Sequence, residues 1–202
     1  MRAEPTEKTP YIVVLGGALR PNSSTEKALR LAAAAAEKLG AKTKVFAGPA
    51  LDLPFYAPEK PERSAEAEAL VAELRKADGI IIGSPGYHGS FSGYVKNVLD
   101  YVEDMSKDAE PYFKGRAVGI IATGAGWQGA VGTLQALRNV VHALRGWPTP
   151  FGLAINTIEG GFDAEGQALT ARLQAQIEML AGEVVEFAMQ RQACRLEDAA
   201  GS

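Results

Sequence analysis

The strongest constraint on the fold is an apolar run that breaks into a glycine-rich polar turn and then resumes as a helix. Residues 79–102 read GIIIGSPGYHGSFSGYVKNVLDYV. Ile80, Ile81 and Ile82 form a continuous β-branched run, the pattern of a parallel strand covered on both faces. Gly83-Ser84-Pro85-Gly86 interrupts it, and a loop with Tyr87, His88, Gly89 and Ser90 follows. Val95, Val98, Leu99 and Val102 then recur at helical spacing. Open α/β sheets take their ligands at turns of this kind, beyond the carboxyl ends of buried strands. Glycine lets the backbone there approach a ligand closely.

The same alternation runs along the whole chain. Residues 11–15, 43–46, 79–83, 117–122 and 153–158 read as strands. Between them lie helical patterns. Ser23 or Ser24 caps a helix whose inner face is Ala28, Leu29, Ala32, Ala36 and Leu39, and Gly40 stops it. Ser64 caps a second, with Leu70, Val71 and Leu74 inward, and residues 93–105 form a third. A fourth carries Leu134, Leu137, Val141 and Leu144. The last spans residues 164–191, with Leu169, Leu173, Ile177, Leu180, Val184 and Phe187 on one face. Residues 48–63 hold Pro49, Pro54, Pro58 and Pro61 and read as a long, functional loop. Alternating strands and helices give a parallel sheet covered on both faces. With five strands, the expected fold is a flavodoxin-like, doubly wound α/β domain of order 2-1-3-4-5. The expected organisation is a flexible lead (1–10), one domain (11–191) and a C-terminal tail (192–202), disordered over residues 196–202.

Composition excludes several classes. A formal charge of -3 argues against a general nucleic-acid binder. No apolar run reaches the roughly 18 residues of a membrane span, and the charged first residues have no apolar stretch behind them, so no secretory signal is read. Cys194 is the only cysteine, which rules out an intrachain disulfide or a cysteine metal cluster and fits a cytoplasmic setting. No metal site is expected.

Three turns share one sheet edge in this order, those after the first, third and fourth strands. The first holds Gly16, Gly17, Ala18, Leu19, Arg20, Pro21, Asn22, Ser23, Ser24 and Thr25. It opens a helix, whose free amides and partial positive charge suit a phosphate monoester. Arg20 adds a planar cation, and Ser23, Ser24 and Thr25 add hydroxyls. It matches neither GxxxxGK[ST] nor GxGxxG, so an ATP loop and a standard dinucleotide fingerprint are both absent. The third turn reads TGAGWQGAVG over residues 123–132.

These motifs resemble the NADPH-dependent FMN reductases, whose ring loop runs Ser-Pro-x-Tyr-His-Gly-Ser. Gly17, Arg20, Ser23 and Thr25 match the family's phosphate loop, while Gly16 and Ala18 stand where it has serines. The resemblance covers residues 11–147. It implies that Arg20, Ser23, Ser24 and Thr25 hold the FMN phosphate, and that Pro85, Gly86, Tyr87, His88, Gly89 and Ser90 lie along the isoalloxazine. Gly86 stands where many members have Glu. Thr123, Gly124, Ala125, Gly126 and Gln128 would edge the pyrimidine end of the ring, with Trp127 either stacking on it or serving structure. His88 reads either as a proton donor or as a residue that packs at the loop or at a subunit contact.

The implied reaction is hydride transfer from NADPH or NADH to FMN, which needs alignment rather than an acid or base. No catalytic side chain is therefore expected. The implied partners are a small-molecule electron acceptor or a flavin-dependent monooxygenase, and a second copy of the chain in a homodimer or homotetramer. The contact would use the helices over residues 93–105 and 131–145. A reductase of quinones, azo dyes or metal oxyanions with tightly held FMN is the alternative. An electron-carrying flavodoxin or a non-catalytic flavin-binding module is the alternative of another class.

Overall fold

A computed structural model of the protein describes residues 8–200. The lead expected over residues 1–10 falls largely outside them. β1 (Tyr11–Gly16), β3 (Gly79–Tyr87) and β5 (Ala117–Gly124) form the sheet centre, and β2 (Lys42–Ala47) lies outside β1. Alternation along the strands feeds two cores. Val13, Leu15, Ile80, Ile82, Val118 and Ile120 face one; Ile12, Val14, Ile81 and Ile121 face the other. Helices α2 (Ala65–Lys76), α3 (Gly93–Asp100) and α4 (Trp127–Ala143) cover the first face. Helices α1 (Ser24–Lys38) and α5 (Ala171–Ala200) cover the second. This double burial explains why the strands read as unbroken apolar runs.

The sheet has seven strands rather than five, in the order β2-β1-β3-β5-β6, with two further strands off that path. Two local causes account for the difference. First, β3 does not break at Gly83; it continues to Tyr87 and folds back as β4 (Ser90–Phe91). Second, the fifth position is split. β6 (Trp147–Pro148) pairs with the start of β5, and β7 (Leu153–Asn156) pairs with its end. Pro148 and Pro150 lack amide donors, so a continuous ladder is not available between them. Apart from the β3–β4 hairpin, the pairings are parallel.

Other boundaries also moved. α4 starts at Trp127, inside the stretch expected to be a turn. α5 starts at Ala171, not 164, because residues 163–170 form turns and Phe162 bridges Ala168. Its far end runs through the expected tail to Ala200, while residues 201–202 lie outside the described range. Leu39, expected inward, is a half-exposed cap, and Leu169 is exposed before the helix begins.

The long loop after β2 opens with a short 3-10 helix, Gly48–Leu51, and is clamped to the α3 region. Asn97 accepts from the Tyr56 amide at 2.8 Å and donates to the carbonyl of Pro54 at 2.9 Å. Arg63 makes a two-pronged contact with Asp104, Nε to Oδ2 at 2.8 Å and Nη2 to Oδ1 at 2.9 Å. The guanidinium also lies 4.8 Å from the Tyr56 ring centre. Hydrogen bonding from Arg63 holds the Asp104 carboxyl below its ordinary value. A depressed carboxylate stabilises the fold above its unfolded pKa, near 3.9, and that contribution fades as pH falls through the lower folded value. Asp104→Asn is expected to cost about 2 kcal/mol at neutral pH. In denaturant melts, the gap between the two proteins should close in strong acid; a gap that is constant with pH would contradict the ion-pair account.

Candidate functional site

Close backbone contact brings the first two turns together. Gly16 pairs with Gly83, and the Gly17 amide donates to the Gly83 carbonyl at 2.9 Å. Gly16 has φ +131°, and a Cβ there would lie 1.8 Å from the Gly83 oxygen, so no other residue fits. Ser84 and Ser92 extend the connection. The Ser92 amide donates to Ser84 Oγ at 2.9 Å, and Ser92 Oγ lies 3.5 Å from the Gly17 carbonyl, to which it donates. Ser92 also caps α3 through the Val95 amide.

The first and third turns are joined directly. Thr25 Oγ1 and Thr123 Oγ1 lie 2.6 Å apart, both buried, and share a hydrogen bond. Pro85 pairs with Thr123 across β3 and β5, and Gly124 with Asn156 across β5 and β7. The carboxyl ends of β1, β3 and β5 thus meet as expected.

At the first turn, Ser23 rather than Ser24 is the cap, its Oγ accepting from the Glu26 amide at 3.2 Å. Glu26 reaches back to accept from the Asn22 amide at 3.0 Å, and Arg30 balances its charge at 2.6 Å. This reciprocal pair satisfies two amides. The helix N-terminus leaves the amides of Ser24 and Thr25 without intrahelical partners. Ser24 is half-buried, and Arg20 is exposed with no side-chain partner among the described residues.

In the second turn, Ser84 and Pro85 are buried and belong to β3. His88 (φ +49°) and Gly89 (φ +91°) are the two central residues of the β3–β4 hairpin. Positive φ at both centres is the geometry of a tight two-residue hairpin turn. The exposed His88 therefore shapes a turn at the tip of the hairpin rather than packing under the loop. Tyr87, Gly89 and Ser90 are exposed around it.

The third turn is shorter than expected, ending at Gly126. Gly126 (φ +117°) precedes α4 with no side-chain cap. The first amides of α4 are left open at the crevice, with the partial positive charge of a helix N-terminus. Asn156 fixes the turn, its Oδ1 accepting from the Gly126 amide at 2.9 Å. Trp127 Nε1 donates to Glu159 at 2.7 Å, and Asn156 Nδ2 donates to the same oxygen at 2.8 Å. Ala125 and Gln128 are exposed. Gly86 and Gly124 turn out to have another role. A Cβ on Gly86 would lie 2.9 Å from the Gly129 carbonyl oxygen, and one on Gly124 would lie 2.8 Å from the Ala130 amide. They admit the first turn of α4 to the sheet.

Sequence reading missed Ser84, Ser92, Glu26, Asn156 and Glu159. Ser92, just before an apolar helical pattern, and the Ser23-x-x-Glu26 spacing were available signals. Asn156 gave none, because the amide it holds lies 30 positions earlier. A cavity of about 440 Å³ adjoins the third turn at Trp127, Asn156 and Glu159, but no residue of the first two turns lines it.

The family model described as NADPH-dependent FMN reductase matches residues 10–159. The FMN-dependent NADPH-azoreductase of Staphylococcus aureus is 29% identical over 139 residues, covering 68% of this chain and 70% of that one. Among solved structures, FerB, a flavoenzyme NAD(P)H:(acceptor) oxidoreductase from Paracoccus denitrificans, superposes with a TM-score of 0.75 at 19% identity, covering 91% of this chain and 99% of that one. An apo NADH:FMN oxidoreductase, EMOB, superposes at 0.63 and 20% identity, covering 87% and 90%. These likenesses show the shared flavodoxin-like fold. Among the described residues, no helix is long and apolar enough to cross a membrane.

The Gly16–Gly83 contact gives a direct test. Gly16→Ala should lose about 3 kcal/mol or more in denaturant melts, because backbone must move to admit the methyl group. Wild-type stability in this variant would show that the two turns are not pressed together.

Proposed function

The chain belongs to the NADPH-dependent FMN reductase family, and from that premise we propose that it moves hydride from a reduced nicotinamide to FMN lying across the three turns. Membership makes it an oxidoreductase working with FMN and NAD(P)H. The observation that carries the reading is the 2.6 Å Thr25–Thr123 bond, which ties the phosphate-type turn to the third turn.

The donor set fits a phosphate monoester. Ser24 and the first amides of α1 supply neutral donors. Ser23 Oγ accepts from Glu26 and keeps its own proton to donate. Arg20 supplies the cation. Thr25 contributes its amide, while its hydroxyl shares a hydrogen bond with Thr123. The ring would extend over Pro85, Gly86 and Tyr87 and the hairpin residues His88, Gly89 and Ser90. Gly124, Ala125, Gly126 and Gln128 would border its other end, where the open α4 amides favour negative charge. When bound, FMN supplies the hydride-accepting ring. The protein contributes placement, and no side chain is assigned acid–base work.

A second reading keeps FMN bound and passes the electrons to an azo compound or quinone. The name of the Staphylococcus aureus relative favours it. In the first reading the acceptor is free FMN, with a flavin-dependent monooxygenase as a consumer of the product in the cytoplasm. In both, a second copy of the chain covers the exposed Tyr87, Tyr94, Trp127 and Val131, giving a homodimer or homotetramer.

Flavin-stripped protein should oxidise NADPH or NADH only when FMN is added. Rates that rise with FMN well beyond one equivalent support free flavin as acceptor. Rates that saturate at one equivalent and then require an azo dye or quinone support the bound-flavin reading. FMN binding without consumption of either nucleotide would contradict both. Arg20→Ala should weaken FMN roughly tenfold, the loss of one charge-assisted hydrogen bond, at an unchanged melting temperature. Unchanged affinity would remove Arg20 from the site.

A further inference from the structure

At the opposite edge of the sheet, a cavity of about 260 Å³ lies among the segments that lead into β1, β3 and β5 and the last turns of α5. Its lining holds six cationic side chains, Lys8, Arg75, Lys76, Arg116, Arg191 and Arg195, against two carboxylates, Asp78 and Glu110. We propose that this cavity is a second anion site, separate from the flavin crevice, which takes a compact polyanion of the pyrophosphate or phosphate-ester class.

The protein leaves polar groups of this cavity unsatisfied. Arg116 is only 7% exposed. Its guanidinium donates to three carbonyls, those of Ala77 at 2.7 Å, Tyr112 at 2.9 Å and Arg75 at 3.1 Å. No carboxylate bonds to it among the described residues. A guanidinium has five N–H donors, so this one retains capacity. Burying a cation without an acidic partner is unfavourable. The nearby acids are engaged elsewhere: Glu110 with Arg195, Asp108 with Arg75, and Asp78 with the Tyr11 amide. Gln192 Nε2, on the same wall, is a buried amide nitrogen with no partner among the described residues.

The cations also converge. Gly115 (φ +75°) lines the cavity where these side chains meet. A methyl group there would lie 3.6 Å from Arg191 Nε, 3.7 Å from Arg195 Nη2 and 3.7 Å from Glu110 Oε1. Glu110 already answers Arg195 at this point, so the charge left without an acidic partner among the described residues is that of Arg191, which a bound anion would answer. Arginine forks suit phosphate oxygens because two N–H groups can address them together. A small polyanion would reach Arg191, the remaining donors of Arg116 and the Gln192 amide at once. The volume suits a small ion rather than a dinucleotide. This edge carries the amino ends of the strands, whereas the flavin turns lie at the carboxyl ends, so the two sites would fill independently.

The test is calorimetric titration of pyrophosphate, at low ionic strength, into wild-type protein already saturated with FMN. Saturation blocks the phosphate-type turn. One site per chain is expected. Arg191→Glu should weaken binding roughly tenfold or more, and Gln192→Leu should weaken it severalfold. Arg191 is exposed, Gln192 is half-buried, and glutamate and leucine both suit a helix, so far-ultraviolet dichroism should be unchanged. Arg20→Ala should leave this site intact while weakening FMN, which separates the two anion sites. Absence of a binding heat on the FMN-saturated protein would overturn the proposal. So would affinity unaffected by either cavity variant, or a pyrophosphate signal lost in Arg20→Ala.

Discussion

The close approach of two backbones, Gly16-Gly17 against Gly83, is the contact on which the crevice depends. It leaves no space for a Cβ on Gly16, so the first turn must leave β1 hard against β3. From that fixed point the other connections follow at short range. Ser92 reaches the Gly17 carbonyl while capping α3, and Thr25 meets Thr123. Each bond is modest on its own. Together they hold turns separated by up to about a hundred residues in sequence at one sheet edge, where parallel strands present their carboxyl ends.

The two ends of the sheet differ in chemistry. At the carboxyl edge, donors are backbone amides at helix N-termini and small hydroxyls, with Arg20 as the exposed cation and Glu26 balanced by Arg30. Such a surface favours a phosphate and a polar heterocycle without a dense charge field. At the amino edge, long cationic side chains crowd a cavity around the buried Arg116. The modest net charge of -3 conceals this segregation. The Asp104–Arg63 pair belongs to neither end; it fixes the long loop whose first residue, Gly48, lies beside Glu26.

The alternation of strands and helices was legible because each strand is covered on both faces. Runs such as Ile80-Ile81-Ile82 are then apolar without interruption, and Ser64 announces its helix by type and position. Strand ends were not legible. Ser84-Pro85-Gly86 looks like a break, but Pro85 sits where β3 still pairs with β5, and the following turn residues form a hairpin instead of a wandering loop. The fifth strand failed to show its split because Pro148 and Pro150 act through amides they lack, which leaves no apolar signature. Gly86 and Gly124 were readable as glycines needing space, but not for what. A helix, α4, fills that space. Asn156 stayed hidden because its partners are set by tertiary contact alone.

Flavin chemistry at this crevice requires one ligand to engage all three turns. The direct measurement is the change in backbone amide chemical shifts of labelled, flavin-stripped protein on addition of FMN. The expected result is coincident shifts at Ser24 and Thr25, at Gly86 through Ser90, and at Gly124 and Gly126, with Arg116 and Arg191 undisturbed. Shifts confined to one turn, or centred on the cavity between β7 and α5, would contradict it.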